Sequence, residues 1–259
     1  MIVMMCALNV HAATRTFVSS TGTDTGACPR TAPCAGFSYA LTQTDPGGTI
    51  VILDTAAYGG VTITQSVTIE AVPGAQGLIK VQPSTTGISI TGGALVVLRG
   101  LLIEGFNAAS TIGINQNGGN SNVVVEDCKL TQLTTAITVT GSLGSIAKMD
   151  LINSDVLHNG TGIIVTGKGT NFSGNPIVAA EGMVLINAGN ILYNTTGISS
   201  VNQGTGPMNS SLINVGFFAP GQSVPLVNLI RNTNQIVCSG TANCINQPVK
   251  YDWQSAIAP

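Results

Sequence analysis

The chain has 259 residues, of which only 8% are charged, and its formal net charge is −2. With nine Lys and Arg residues in all, it has neither the basic surface that nucleic-acid binding needs nor the polybasic run of an anionic-membrane binder. Its 32 glycines, its 44% apolar content and its many Ser, Thr and Asn residues predict a folded chain of strands and turns rather than helices or disorder.

Residues 1–12 form an apolar N-terminal segment that ends in Val10-His11-Ala12. Small or aliphatic residues at the third-last and last positions are typical of a signal-peptidase site. We therefore expect a signal peptide cleaved before Ala13, and a secreted protein that is periplasmic or extracellular. The segment is too short to span the roughly 30 Å of hydrocarbon in a bilayer. The alternative is an apolar N-terminus without a targeting role.

Residues 13–47 come before the repeats and differ from them. Residues 16–19 predict a strand, and the helical spacing of Phe37, Ala40 and Leu41 predicts a short amphipathic helix over 36–44. We expect the strand, the loop between Cys28 and Cys34, and the helix to cap the structure that follows.

Two close cysteine pairs lie near the ends of the mature chain. Five residues separate Cys28 from Cys34, and five separate Cys238 from Cys244. In an exported protein this spacing predicts two local disulfide bonds. A four-cysteine zinc site is the alternative, although these separations are long for zinc knuckles. Cys128 stands alone in an apolar run, so we expect a buried core thiol.

Residues 48–202 contain two repeating patterns. In the first, aliphatic segments align at steps of 27, 26 and 34 residues on Leu98, Val125, Leu151 and Leu185. In the second, a Gly-Ile or Ala-Ile pair recurs at steps of 26, 23, 26 and 35 on Ile88, Ile114, Ile137, Ile163 and Ile198. Short strands with one period and no helical pattern predict a parallel β-solenoid. The longer last step predicts an insertion at 167–182.

Stacked coils place like residues above one another in columns. The predicted inward columns are Leu98, Val125, Leu151, Leu185 and Leu101, Cys128, Ser154, Ala188. A third column is predicted in a turn with left-handed backbone, which Gly, Asn and Asp tolerate best: Gly100, Asp127, Asn153, Asn187. Opposite charges also align, because Arg99 stacks on Glu126 and Lys129 stacks on Asp155, which predicts ion pairs on an exposed face.

The repeat is lost in residues 203–259, which contain Trp253 and the second cysteine pair. A solenoid must cover both open ends to protect its core and its unpaired strand edges. We therefore expect residues 203–259 to form a C-terminal cap.

The N-terminal motifs resemble those of a known group of proteins. The run Arg15-Thr16-Phe17-Val18-Ser19 is followed by Cys28-Pro29-Arg30-Thr31-Ala32-Pro33-Cys34 and then by Gly47-Gly48-Thr49-Ile50. Together they resemble secreted bacterial right-handed parallel β-helix repeat proteins of the pectate-lyase-like superfamily. The resemblance implies an all-β fold, a single-stranded right-handed parallel β-helix with a short N-terminal capping helix, and export. It does not imply an established activity.

No catalytic set stands out in the sequence. Lyases of this fold resemble one another in a carboxylate cluster that holds Ca²⁺, and the candidates here are Glu104, Glu126, Asp127, Asp150 and Asp155. The register with Arg99 and Lys129 favours an ion-pair ladder over a calcium cage, so we predict no cofactor, with Ca²⁺ as the alternative. The N-T-D, D-D, G-H-G and R-I-K motifs of polysaccharide hydrolases are absent. His158 lies in a turn-like His-Asn-Gly sequence, so we expect it to be a solvated turn residue rather than a catalytic base.

These observations predict an extracellular β-helix protein without a catalytic set, which binds polysaccharide or acts at the cell surface. The candidate ligand-binding residues are Arg99, Glu126, Lys129 and Asp155. One alternative is a divergent polysaccharide lyase or glycoside hydrolase acting on uronic-acid-containing glycans, for which fold analogy is a weak argument. A second is a structural or adhesin module.

Overall fold

The structure is a computed structural model that describes residues 13–105, 111–141, 145–167, 180–202, 209–215, 227–228, 232 and 234–239. The predicted signal peptide at 1–12, most of the predicted insertion at 167–182, and Cys244 lie outside the described residues.

The described chain is built almost entirely from short strands and one helix. In chain order the elements are β1 (Ala13–Val18), α1 (Phe37–Thr42), β2 (Thr44–Ile52), β3 (Ala56–Ala57), β4 (Val61–Ile63), β5 (Val67–Ala71), β6 (Gly77–Lys80), β7 (Thr86–Thr91), β8 (Leu95–Arg99), β9 (Leu101–Glu104), β10 (Ile112–Asn117), β11 (Asn122–Glu126), β12 (Lys129–Thr131), β13 (Thr135–Gly141), β14 (Ile146–Leu157), β15 (Thr161–Gly167), β16 (Ala180–Leu192), β17 (Thr196–Asn202), β18 (Asn209–Val215), β19 (Val227–Asn228) and β20 (Asn234–Ser239).

All strand pairs are parallel, and they form three ladders that we call faces. The first face contains β1, β2, β5, β8 and β11, then the first halves of β14 and β16, and β18. The second face contains β3, β6, β9 and β12, then the second halves of β14 and β16, and β19. The third face contains β4, β7, β10, β13, β15, β17 and β20. The predicted parallel β-solenoid is therefore confirmed, and its right-handed winding stays a prediction.

Apolar columns fill the interior, as the repeat predicts. On the third face Ile88, Ile114, Ile137, Ile163 and Ile198 are in register on successive strands, and each is fully buried. On the first face Leu98, Val125 and Leu151 are equally buried and in register. β-branched and aliphatic side chains suit this position because they pack well on a pleated surface.

The last member of each predicted inward column was wrong by one residue. Leu151 pairs with Ile186 rather than Leu185, and Ile186 is fully buried. Ser154 consequently pairs with Gly189 rather than Ala188. A glycine is needed at this point because a Cβ on residue 189 would lie 2.2 Å from the Ser154 carbonyl oxygen, and its φ is +128°.

The predicted turn column lies between the first and second faces. Gly100, Asp127 and Asn153 have φ values of +68°, +52° and +45°, which confirms the left-handed backbone. The Asn153 Nδ2 donates to Asp127 Oδ1 at 2.5 Å, so neighbouring coils are also joined here. Asn187 was wrongly assigned to this column, because it pairs with Ile152 before the turn.

A buried ladder of asparagines joins the coils at the turn before the third face. Asn159, Asn194 and Asn232 are each at most 7% exposed. The Asn194 Oδ1 accepts from the Asn159 backbone N–H at 2.8 Å, and Asn232 Oδ1 accepts from the Asn194 N–H at 2.8 Å. Each Nδ2 donates in turn to a carbonyl of the preceding coil, at Leu130, Val156 and Ile191 respectively. The ladder satisfies polar backbone groups that would otherwise be buried without partners.

The N-terminal cap forms much as predicted. Helix α1 buries Phe37, Ala40 and Leu41 against the end of the core. Cys28 and Cys34 form a disulfide bond, and the loop they close pairs with the edge of β1. The predicted bond between Cys238 and Cys244 stays a prediction.

A carboxylate links the cap to the first coils. Asp54 accepts hydrogen bonds from the Ser20 backbone N–H at 3.0 Å, from Ser20 Oγ at 2.6 Å, from Ser19 Oγ at 3.1 Å and from Tyr58 Oη. Burial alone would raise the pKa of Asp54, but the hydrogen bonds from Ser20, Tyr58 and Ser19 outweigh it and lower the pKa from 3.8 to about 2. Burial, reinforced by the bond to Asp54, raises the pKa of Tyr58.

At the C-terminal side the stack continues past residue 202, where we had placed its end. Strand β18 pairs with β16 on the first face, and β20 pairs with β17 on the third. Residues 209–215, 227–228 and 234–239 therefore contribute further strands to the solenoid, and most of the rest of the predicted cap lies outside the described residues.

We predict that Asn194→Ala lowers the free energy of unfolding by roughly 2–4 kcal/mol, because it leaves the Asn159 N–H and the Val156 carbonyl buried without these hydrogen-bond partners. Urea unfolding measures the change. The control is Asn122→Ala, at an exposed position of β11, where we expect a change within about 0.5 kcal/mol. Equal losses in the two variants would contradict a stabilising role for the ladder.

We also predict that Asp54 makes stability depend on acidity. Because the folded-state pKa of Asp54 is depressed, its contribution is complete above pH 4 and is lost as the pH falls from about 4 towards 2. We expect this contribution to be on the order of 1 kcal/mol after solvent screening. Thermal unfolding of wild type and Asp54→Asn should show midpoints that differ at pH 6 and converge at pH 2. Midpoints that stay equally far apart would contradict the prediction.

Candidate functional site

Charged side chains on the first face form a continuous ladder across the coils. Arg15 bonds to Glu70 at 3.3 Å, Glu70 lies 3.6 Å from Arg99, and Arg99 Nε donates to Glu126 at 2.5 Å. The predicted stacking of Arg99 on Glu126 is thereby confirmed. The hydrogen bond to Glu126 raises the pKa of Arg99, and burial opposes this only in part. These charges are therefore satisfied chiefly by one another.

The second predicted pair lies on a different face. Lys129 and Asp155 are direct neighbours on β12 and β14, as expected, but the predicted ion pair is not among the salt bridges between described residues. The Asp155 carboxylate accepts a hydrogen bond from Asn190 Nδ2 at 2.6 Å, which extends the column by one coil. The turn column separates this pair from Arg99 and Glu126, so the four candidate residues do not form one site.

A row of planar side chains follows the second face, at Gln132, His158 and Tyr193. The three residues precede Leu133, Asn159 and Asn194, which the asparagine ladder holds in register. All three have left-handed backbone, with φ values of +57°, +56° and +58°. His158 and Tyr193 are exposed, and their rings stack with centroids 4.8 Å apart and an angle of 9° between planes. His158 thus occupies an exposed turn, as predicted, and stacks on a tyrosine that we did not predict.

We call the combined surface the ridge, formed by Lys129, Asp155, Asn190, Gln132, His158 and Tyr193. It offers an ammonium, a carboxylate, two amides, an imidazole and a phenol along three successive coils. Such a set can donate and accept several hydrogen bonds and adds apolar ring edges. Acid/base hydrolysis of a glycoside requires two carboxyl groups, and Asp155 is the single one in the ridge.

The sequence contains a signal for the ridge that we did not use. His158-Asn159 and Tyr193-Asn194 both place an aromatic residue immediately before an asparagine, and each asparagine precedes a column isoleucine by four residues. That spacing identifies equivalent positions on neighbouring coils. The left-handed backbone at such residues cannot be read from their identity.

A shallow cleft lies between the start of helix α1 and the first strands of the third face. Its volume is about 330 Å³, and its polar lining includes Ser38, Thr62, Lys80, Gln82 and Thr85. This size is at the lower end of the range for ligand sites. The Ser38 and Thr85 hydroxyls already donate to the carbonyls of Gly60 and Gln82. The cleft contains one charged side chain and no carboxylate, so it supplies no acid/base pair.

Cys128 is a core residue, as predicted. Its thiol is buried, and burial raises its pKa to about 12. Since the thiolate is the nucleophile and the metal ligand, this side chain is unsuited to either task.

The carboxylates considered for calcium are dispersed among other partners. Glu126 bonds to Arg99, Asp150 to Lys148, Asp127 to Asn153 and Asp155 to Asn190. Within the described ranges, no three His, Cys, Asp or Glu side chains come together as a metal-binding group. In the same ranges no helix has the length and apolarity of a membrane span.

Comparison with known proteins adds no relative. No protein-family model, no curated protein and no solved structure matches this chain.

We predict that the first-face ladder stabilises the fold modestly. Arg99→Ala and Glu126→Ala should each lower the free energy of unfolding by about 1 kcal/mol or less, with a coupling of about 0.5 kcal/mol in the double variant. Because the pair is partly exposed, the coupling should vanish in 1 M salt. Urea unfolding of the four proteins at two salt concentrations measures it. A coupling that is absent at low salt would contradict the prediction.

Proposed function

We propose that this chain is an exported, non-catalytic β-solenoid protein that binds carbohydrate through the ridge. The observation that carries the proposal is the exposed His158–Tyr193 stack on a left-handed backbone. Export rests on the apolar residues 1–12 and is supported by the Cys28–Cys34 disulfide, a bond that persists in oxidising compartments. The resemblance of the N-terminal motifs to secreted β-helix repeat proteins agrees with it.

The backbone at His158 and Tyr193 is costly for these residue types. A non-glycine residue in the left-handed region loses roughly 1–2 kcal/mol, which Gly would avoid and Asn would reduce. The turn column between the first and second faces uses Gly, Asp and Asn in this conformation. The ridge instead uses Gln, His and Tyr in the same conformation. Strained residues that persist on a surface indicate a role in binding rather than in folding.

The chemistry of the ridge suits a hydroxyl-rich ligand. The His158 and Tyr193 rings cover each other's facing surfaces, so a ligand meets their edges, the phenol hydroxyl and the imidazole nitrogens. Lys129, Asp155 and Asn190 add donors and acceptors on the adjoining column of the second face. Sugars present hydroxyl groups and apolar C–H surfaces together, and both kinds of contact are available here.

The alternative is a divergent polysaccharide lyase or hydrolase, and a structural or adhesin module is a further one. An assay of the whole protein separates them. A panel of neutral and uronic-acid glycans, with and without Ca²⁺, is tested for binding and for new reducing ends or unsaturated products. We expect binding without turnover. Turnover of any glycan would refute the non-catalytic proposal, and no binding to any glycan would refute the carbohydrate proposal.

The ridge itself is tested by Tyr193→Gly. Glycine relieves about 1 kcal/mol of backbone strain, while loss of the stack costs about 0.5–1.5 kcal/mol, so the unfolding midpoint should stay near that of wild type. Glycan affinity should fall by about tenfold, since a central aromatic anchor is lost. The matched control is Leu95→Ala, an apolar side chain that is 53% exposed on the first face. Unchanged affinity in Tyr193→Gly, or an equal fall in Leu95→Ala, would refute the ridge as the site.

A further inference from the structure

The third face differs from the other two in charge. Its seven described strands contain no Asp, Glu, Lys or Arg and no aromatic residue. The first face carries the ladder from Arg15 to Glu126, and the second carries Lys129 and Asp155. An uncharged face is complementary to an uncharged occupant, because it attracts no counterions and leaves no charge to desolvate.

The outward side chains of this face form a regular array. One column contains Thr62, Ser89, Asn115, Thr138, Ile164 and Ser199, in register on successive strands. A second column, at the start of the strands, contains Thr86, Ile112, Thr135, Thr161 and Thr196. All of these side chains are at least partly exposed. Nine of these eleven positions therefore present a hydroxyl or an amide to solvent, while Ile112 and Ile164 interrupt the two columns.

The array is rigid as well as regular. Threonine is β-branched, so its χ1 angle is restricted and its hydroxyl oxygen occupies few positions. The coils beneath are held in register by the apolar columns and by the asparagine ladder. A ligand that binds this face therefore meets a preorganised lattice and orders few side chains on contact.

The spacing of this lattice is close to that of ordered water. Parallel strands lie about 4.8 Å apart, so equivalent hydroxyls on successive coils share that separation. In a tetrahedral network with O–H···O distances of about 2.75 Å, second-neighbour oxygens lie about 4.5 Å apart. A Ser or Thr hydroxyl donates one hydrogen bond and accepts two. The mismatch of about 0.3 Å per coil adds up to about 1.5 Å over the six strands of the longer column, so these hydroxyls can take the places of oxygens in such a network over about three neighbouring coils.

We propose that the third face binds the surface of ice. Liquid water has no lasting lattice that the array could match, whereas the surface of a water crystal repeats at nearly the spacing of neighbouring coils. A sugar polymer is less well suited, because none of the seven strands carries an aromatic side chain that would pack against a sugar ring. This site is separate from the ridge and stands independently of the carbohydrate proposal.

The test measures ice growth in solutions of the whole protein. We expect a gap between melting and freezing points that widens with protein concentration, together with inhibition of ice recrystallisation. Thr138→Tyr places a bulky ring in the centre of the array and should reduce the gap by about tenfold. Ser89→Tyr does the same on a neighbouring strand if the first variant folds poorly. The control is Thr68→Tyr, the same change at a half-exposed outward position of β5 on the first face.

The control should keep the wild-type gap, and all variants should unfold near the wild-type temperature. The proposal is overturned if wild type shows no gap and no inhibition of recrystallisation. It is also overturned if folded Thr138→Tyr and Ser89→Tyr keep full activity, or if Thr68→Tyr loses as much as they do. Binding of the third face to a neutral glycan without any effect on ice would assign the face to sugar instead.

Discussion

The in-register stacking of parallel coils is the constraint on which the rest of this structure depends. Each residue lies about 4.8 Å above its counterpart in the next coil, so every position must tolerate a near copy of itself. Inside, Ile, Leu and Val meet this condition by packing. Asparagine meets it because its side chain both donates and accepts, so that Asn159, Asn194 and Asn232 can satisfy one another. Outside, the in-register charges Glu70, Arg99 and Glu126 meet it by alternating in sign.

This constraint explains how much of the fold could be predicted. The isoleucine marker of the third face was correct at all five positions because each isoleucine follows a small residue that marks the corner. The first-face marker slipped by one residue at Leu185, because Val184-Leu185-Ile186 is continuously apolar and hides the alternation of a strand. A slip of one residue exchanges inside for outside, which is why Asn187 and Ala188 were misplaced as well.

The candidate site was harder to predict than the fold. The sequence shows opposite charges one repeat apart, and Arg99 and Glu126 do form an ion pair. Because these two side chains bind each other, their pairing is accounted for by the stability of the coils and does not indicate a ligand site. Lys129 and Asp155 of the ridge were among the predicted residues, but its ring stack was missed because the properties that define the stack are not local. Nothing in the sequence at His158 or Tyr193 shows a left-handed backbone or a ring stack, since both arise from the neighbouring coil. The asparagine ladder was missed for the same reason, because the sequence alone does not distinguish an asparagine that is buried from one that lies in an exposed turn.

The asparagine ladder also bears on how long the molecule lasts. Asn159 is followed by Gly160, and an asparagine before glycine is prone to spontaneous deamidation, one of the chemical lesions that make this residue type labile. In the folded chain its amide is buried and held by hydrogen bonds to Leu130, Leu133 and Asn194, which restrict the rotation that would bring its side-chain carbonyl carbon to the attacking Gly160 nitrogen. Deamidation would bury a carboxylate in place of the Nδ2 donor. A copy in which Asn159 deamidates while unfolded would therefore refold to a less stable stack, so the folded state protects a residue on which its own stability partly depends.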